Sequence, residues 1–299
     1  MKRFAFLSMF ALGALVCAVS AQQPIRLPGE KDKEYKLPPE EIAPQAVMAR
    51  TAAGETVDWG HAPLLVKELH DKGWTGTAIK VCVLDTGGDM AHPGLKSAIT
   101  KSKDFTGSRS GASDVNGHGT WCAGAIGERK DGSGMYGVAP GCELYIGKVL
   151  SDEGSGLSSW IAAGIDWGVA EGAHVISMSL GGSGDDPIIG RAVDRALAKN
   201  VIVVAAAGNE GNGGIGFPGG HAGVICVAAV DVNLKVASFS SRGTRLDVAG
   251  PGVNTTATYP GGRYASMSGT SMATPYVAGA VACVLESYNA KGVPWTPAS

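Results

Sequence analysis

Net charge is nearly absent. The chain sets 25 Lys+Arg against 27 Asp+Glu, leaving −2 over 299 residues. Such a balance gives no pull toward nucleic acid or an anionic membrane surface. Cysteine is scarce, six in all, too few for a disulfide framework at this length. There is no CxxC pair and no HExxH, so no zinc site announces itself. No internal repeat occurs, and the 45 glycines follow no triplet period, which excludes collagen. After the N-terminal segment, no apolar run reaches the ~20 residues of a bilayer span. What is present is an apolar fraction of 44% against 17% charged residues. That composition excludes disorder along the whole chain, and the length can bury one large core or two small ones.

The two ends stand apart. Lys2 and Arg3 precede an apolar run from Ala5 to Val19, and Val19-Ser20-Ala21 has the small residues of a cleavage site. Residues 1–21 therefore read as a secretory signal peptide, with a membrane anchor as the alternative. Residues 22–55 carry Pro24, Pro28, Pro38, Pro39 and Pro44 and the charged run Glu30-Lys31-Asp32-Lys33-Glu34. This is a short, extended pro-segment or linker that cannot bury a core of its own. Residues 56–299 form the folded domain. Its end, Thr296-Pro297-Ala298-Ser299, reads like the start of a further helix, hence like a truncated chain.

Within that domain, short apolar runs alternate with helical patterns. Strands are predicted at 79–84, 144–149, 175–178, 201–206 and 224–229. Helices are predicted at 64–72, 118–127, 158–171, 187–199 and 276–285, with Trp160, Ile161, Ile165 and Val169 as one buried face. Strands that are apolar throughout are covered on both sides. The order predicts an α/β fold, a mostly parallel central sheet with helices on both faces.

Open parallel sheets bind ligands beyond the carboxyl ends of their strands. There the chain places Asp85-Thr86-Gly87-Gly88, Ser179-Leu180-Gly181-Gly182 and Gly208-Asn209-Glu210-Gly211. Two more segments stand out, Asn116-Gly117-His118-Gly119-Thr120 and Ser268-Gly269-Thr270-Ser271-Met272-Ala273-Thr274-Pro275. Alone, Ser271 reads equally as a helix N-cap. Together these residues fill a set of roles. A serine hydroxyl needs a base, the base is a histidine, and the histidine needs a carboxylate to fix its tautomer. An oxyanion needs preorganised donors, such as an amide side chain and a backbone N–H at a helix start.

The order Asp85, His118, Ser271 and the stretches Val83-Leu84-Asp85-Thr86-Gly87, Gly117-His118-Gly119-Thr120, Gly137-Val138-Ala139-Pro140, Ser177 to Gly182, Ala206 to Gly211, Ser238 to Ser241 and Gly269 to Pro275 resemble the subtilisin-like serine proteases, the subtilases of peptidase family S8. The similarity covers about residues 58–288. It implies a secreted or periplasmic endopeptidase acting on extended polypeptides, with Asp85, His118 and Ser271 as triad and Asn209 with the Ser271 N–H as oxyanion hole. It implies Gly154-Ser155-Gly156 and Ser179-Leu180-Gly181 as edges that pair with a substrate strand. Ala207-Gly208 and Gly216-Phe217-Pro218 would wall the pocket for the residue before the cut, and Glu210 beside it is either a selector for Lys or Arg or a solvated surface acid. A monomer that needs no cofactor for chemistry, no nucleic acid and no membrane after signal removal completes the expectation. An acyl hydrolase and a catalytically dead peptide-binding fold are the competing readings; the extended-substrate segments oppose the first and the intact Asp85, His118, Asn209 and Ser271 the second.

The chain departs from the family in four places. Trp121 and Cys122 stand where His and Val are usual, which alters the packing behind His118. The five cysteines outside the signal segment, Cys82, Cys122, Cys142, Cys226 and Cys283, read as buried thiols ahead of disulfides. Gly94 replaces a carboxylate that often ligates calcium, leaving Asp131 as a weak candidate ligand. The pro-segment is short, but Leu37-Pro38-Pro39 is extended by covalent geometry, so residues 37–41 are either an inhibitory strand in the cleft or a spacer.

Overall fold

The computed structural model describes residues 27–38, 44–49 and 54–297. The signal segment and residues 39–43 lie outside them. Strands run β1 (Glu34–Lys36), β2 (Ala46–Ala49), β3 (Lys80–Asp85), β4 (Ile99–Asp104), β5 (Glu143–Lys148), β6 (Ser155–Leu157), β7 (Val175–Met178), β8 (Ile202–Ala206), β9 (Ile225–Val230), β10 (Val248–Pro251), β11 (Thr255–Tyr259) and β12 (Arg263–Met267). Helices are α1 (Val66–Asp71), α2 (His118–Gly127), α3 (Ser158–Ala170), α4 (Pro187–Ala198) and α5 (Thr270–Ala290). Seven strands form one parallel sheet in the order β10-β9-β8-β7-β3-β5-β4.

The pleat divides the core. On β3, Val81 and Val83 face a cluster that includes Trp121, Ile126, Met272 and Val277 from α2 and α5. Cys82 and Leu84 face the other cluster, with Ile161 and Ile165 of α3 and Ile189 and Val193 of α4. Side chains alternate along a strand, so a strand covered on both sides must be apolar at every position. The chain departs from the central strand toward β4 and β5, then crosses to β7. The carboxyl ends of β3 and β7 therefore flank a switch point.

Two parts differ from the expected pattern. On α3 the buried stripe is Ile161, Ala162, Ile165, Trp167 and Gly168; Trp160 and Val169 are only half buried. The helix expected at 276–285 begins six residues earlier and runs to Ala290. Strands β4, β10, β11 and β12 carry little continuous apolar sequence, since they are edge or hairpin strands with a polar side. The β11–β12 hairpin turns at Gly261-Gly262, both at positive φ, as its tight turn requires.

The described part of residues 22–55 is not detached from the domain. Strand β1 pairs antiparallel with β6, and β2 pairs antiparallel with β12. Upstream of β1, Glu30 meets Arg191 of α4 through two contacts at 2.6 and 2.8 Å. Asp32 accepts from Ser159 N at 3.0 Å, capping the start of α3 from a distant part of the chain.

Candidate active site

Asp85 ends β3 and is buried. Its Oδ1 accepts from Thr86 N at 2.7 Å and from His118 Nδ1 at 2.8 Å. The second bond fixes the imidazole tautomer with Nε2 as its basic end. His118 opens α2 and is buried as well. Burial disfavours the imidazolium, but the charge of Asp85 and its hydrogen bond outweigh it and hold His118 well above the ordinary imidazole range.

The turn that delivers His118 is held by Asp114. Its Oδ1 accepts from Thr86 Oγ1, Asn116 N and Gly117 N at 2.9, 3.1 and 2.8 Å. Its Oδ2 accepts from Thr120 N and Oγ1 at 2.7 and 2.6 Å. One buried carboxylate thus caps α2 and ties it to the end of β3. Gly117 sits at φ 107°, and a Cβ there would lie 2.3 Å from the Tyr259 ring. Only glycine meets both demands.

Ser271 is the second residue of α5, in the first turn, where N–H groups have no acceptor within the helix. Its Oγ donates to Ser179 O at 3.2 Å. Pro275 lies four residues later and has no N–H to give to the Ser271 carbonyl. That carbonyl instead accepts from Ser179 Oγ at 2.8 Å and from Cys122 Sγ at 3.8 Å. Cys122 Sγ also lies 3.9 Å from His118 Nδ1. The thiol therefore packs the turn bearing His118 against the turn bearing Ser271. Asn209 follows β8, and its Oδ1 accepts from Thr270 N and Oγ1, both at 3.0 Å. Its carbonyl end is committed there, which makes the amide N–H end the donor of this side chain.

Ser271 and Asn209 line a cleft of about 680 Å³ together with Leu180, Gly181, Gly208, Glu210 and Gly216. The chain's own Glu34 to Pro38 line it too. The structure puts Gly154, Ser155 and Gly156 at the β1-paired edge: Leu37 N donates to Gly154 O at 2.9 Å, and Tyr35 and Lys36 stand opposite Gly156 and Ser155. Ser179 lies beneath Ser271, while Leu180 and Gly181 reach the cleft. Trp121 is fully buried and donates Nε1 to Ala265 O at 2.8 Å. All five described cysteines are buried and free of disulfides.

Among the described residues, Asp85, His118 and Cys122 bring ligand atoms within 4.8 Å of one another. Burial pushes the Cys122 thiol up to about 11, so at neutral pH it carries a proton and is a poor metal ligand. At the Gly94 loop, where the sequence predicts at most a weak calcium site, the space of the missing carboxylate is taken. A Cβ on Gly94 would come within 2.4 Å of Glu128 Oε1, so the Glu128 carboxylate fills that space. Glu128 accepts from Tyr264 OH, and exposed Asp131 accepts from Ser133 N and Oγ at 3.1 and 2.9 Å.

Sequence reasoning missed Asp114, Pro275 as the cause of the open Ser271 carbonyl, and the Tyr35–Asp186 contact. The first two left signals, an Asp four residues before His118 and a proline inside a helical run. The third joins residues 151 apart and left none.

The chain matches the family model described as the Subtilase family, peptidase S8, over residues 76–299. It is 45% identical over 230 residues to subtilisin Savinase of Lederbergia lenta, covering 77% of this chain and 84% of that protein. It is 43% identical over 238 residues to subtilisin DY of Bacillus licheniformis, covering 78% and 86%. An alkaline protease of Alkalihalobacillus alcalophilus is 44% identical over 234 residues; the match covers 78% of this chain and 61% of that longer protein. An Asp–His pair at the end of a parallel strand, a serine in the first turn of a long helix and these likenesses agree: the chain belongs to the subtilase family of serine peptidases.

Proposed function

We propose that this protein is a secreted serine endopeptidase that cuts extended polypeptides through an acyl-enzyme. The observation that carries the reading is the buried 2.8 Å Asp85–His118 bond, packed through Cys122 against the turn that presents Ser271 to the cleft. His118 Nε2 takes the Ser271 proton as Oγ attacks the carbonyl, and Asp85 stabilises the imidazolium that results. Asn209 Nδ2 and the Ser271 N–H receive the negative charge that develops on the substrate oxygen. His118 then protonates the leaving amine, and water repeats the sequence on the acyl group. No cofactor enters these steps.

Residues 22–55 act as a pro-segment in this reading, after removal of residues 1–21 as a secretion signal. Support comes from β1, which pairs with β6 as a substrate strand would, and from Pro38, which lines the same cleft as Ser271. The next peptide bond joins Pro38 to Pro39, and a proline nitrogen fits the cutting geometry badly. The segment blocks the cleft in cis until it is cut downstream. Pro39 to Glu41, the rest of the expected inhibitory stretch, lie outside the described residues.

The test is labelling with a serine-directed phosphonylating reagent, followed by mass-spectrometric mapping. Adduct on Ser271 with hydrolysis of a casein-type substrate is the expected result. An unlabelled Ser271 overturns the nucleophile, and labelled Ser271 with ester but no peptide hydrolysis overturns the peptidase.

A further inference from the structure

We propose that the pocket now filled by Tyr35 is a tyrosine-selective subsite, in which Asp186 reads the phenol hydroxyl of the fourth substrate residue before the cut. The inference rests on the reading that this cleft cuts extended peptides, and it names which peptides.

Tyr35 is 2% exposed, although it belongs to a charged surface segment. Its ring lies against the backbone of Gly182, where a Cβ would come within 3.0 Å of the ring edge. Its hydroxyl donates to Asp186 Oδ2 at 3.1 Å. Asp186 is itself 2% exposed. Its Oδ1 is used by the first turn of α4, accepting from Ile188 N and Ile189 N at 2.9 and 3.2 Å. Its Oδ2 accepts from Ser158 Oγ besides Tyr35. Two carboxylate oxygens offer about four lone pairs, and here the fourth donor is the phenol. A phenylalanine ring in the same place would cover that acceptor and bring no proton to it. A site built to bond a hydroxyl rejects the analogue lacking it, because its buried polar group is left unpaired.

Strand β1 shows how a substrate reaches the pocket. Glu34 and Lys36 are exposed, whereas Tyr35 and Leu37 are buried. A substrate strand on the same edge of β6, running in the same sense, buries the same alternate side chains. Pro38 lines the same cleft as Ser271; taking it as the residue before the cut makes the residue in the Asp186 pocket the fourth counting back. The favoured substrates are therefore extended peptides with tyrosine at that place and an apolar residue two positions later.

The test uses the chain lacking only its signal peptide and carrying Tyr35→Ala, which empties the pocket. Peptides identical except for Tyr, Phe or Leu at the fourth residue before the cut are compared by kcat/KM. Competition from the chain's own segment divides out, because all three peptides meet the same open fraction of enzyme. Tyr is expected to exceed Phe by about tenfold to hundredfold. Asp186→Asn keeps an oxygen for the α4 cap but turns a neutral amide N–H toward the phenol in place of a carboxylate, so the ratio is expected to fall severalfold. Equal rates for Tyr and Phe overturn the inference without any Asp186 variant, and so does a ratio unchanged by Asp186→Asn. Failure to cut any peptide overturns the peptidase reading, and the inference with it.

Discussion

Replacing Tyr35 by alanine tests whether the N-terminal strand closes the cleft. The side chain is almost wholly buried, and its hydroxyl bonds a carboxylate. Burying an aromatic side chain is worth about 1.5–3 kcal/mol, and a hydrogen bond to a charged group about 1.5–3 kcal/mol. We take the lower half of the sum, about 3–4.5 kcal/mol, because Asp186 keeps Ser158, Ile188 and Ile189 as donors when the phenol is gone. Each ~1.4 kcal/mol is tenfold, so the ratio of open to closed cleft rises by about 10²–10³. The assay compares initial rates on a small peptide for three chains: residues 22–299, the same with Tyr35→Ala, and a chain beginning at Thr56. Rates are taken while the N-terminus remains intact by mass spectrometry, and at two protein concentrations, since closure in cis is independent of concentration. Tyr35→Ala should approach the rate of the chain beginning at Thr56, which sets the ceiling. Equal rates for all three would sink inhibition by the segment. A fast chain beginning at Thr56 beside an unchanged Tyr35→Ala would show that other contacts, such as Glu30 with Arg191, hold the strand.

Three further outcomes are expected. Asn209→Leu should lower kcat by about 10²–10³ with little change in KM, the loss seen when a subtilisin is deprived of one oxyanion donor; a raised KM at constant kcat refutes the role. Activity requires neutral His118, whose pKa is raised, so kcat/KM should climb with pH through a limb above ~6.5, the ordinary imidazole value. Asp85→Asn keeps the burial and removes the charge, so the limb of the residual activity should move to lower pH; a pH–rate profile with an unmoved limb contradicts the assignment. A chelator should shift Tm by less than about 2 °C, since Glu128 fills the space of the missing ligand at Gly94; a large drop in a calorimetric scan would reveal a cation site elsewhere.

The central strands were legible because burial on both faces forces unbroken apolar sequence, as in Val81-Cys82-Val83-Leu84. The helix over His118 to Gly127 was legible to its bounds. Edge strands were not, because one solvated face admits residues such as the lysines of β4, whose pattern resembles a loop. The residues of the candidate site were legible as types and in order, since their chemistry demands an acid, a base, a hydroxyl and an amide. Their partners were hidden because hydrogen bonds formed on folding leave no local period. Asp186 shows the difference: Asp186-Pro187 announces a helix start in the sequence, but nothing local announces that the same carboxylate meets a phenol 151 residues away.

Proline 275 links these levels. Inside a helix it normally costs a backbone bond, and here the lost bond is the one that Ser271 O would have accepted. A buried carbonyl left without a donor is unfavourable by about 1–3 kcal/mol. Ser179 Oγ and Cys122 Sγ supply donors from β7's end and from α2, so the vacancy in α5 becomes the joint that holds Ser271 near the turn of His118. The helix gives up one internal bond, and the three elements that carry Ser179, His118 and Ser271 become one packed unit.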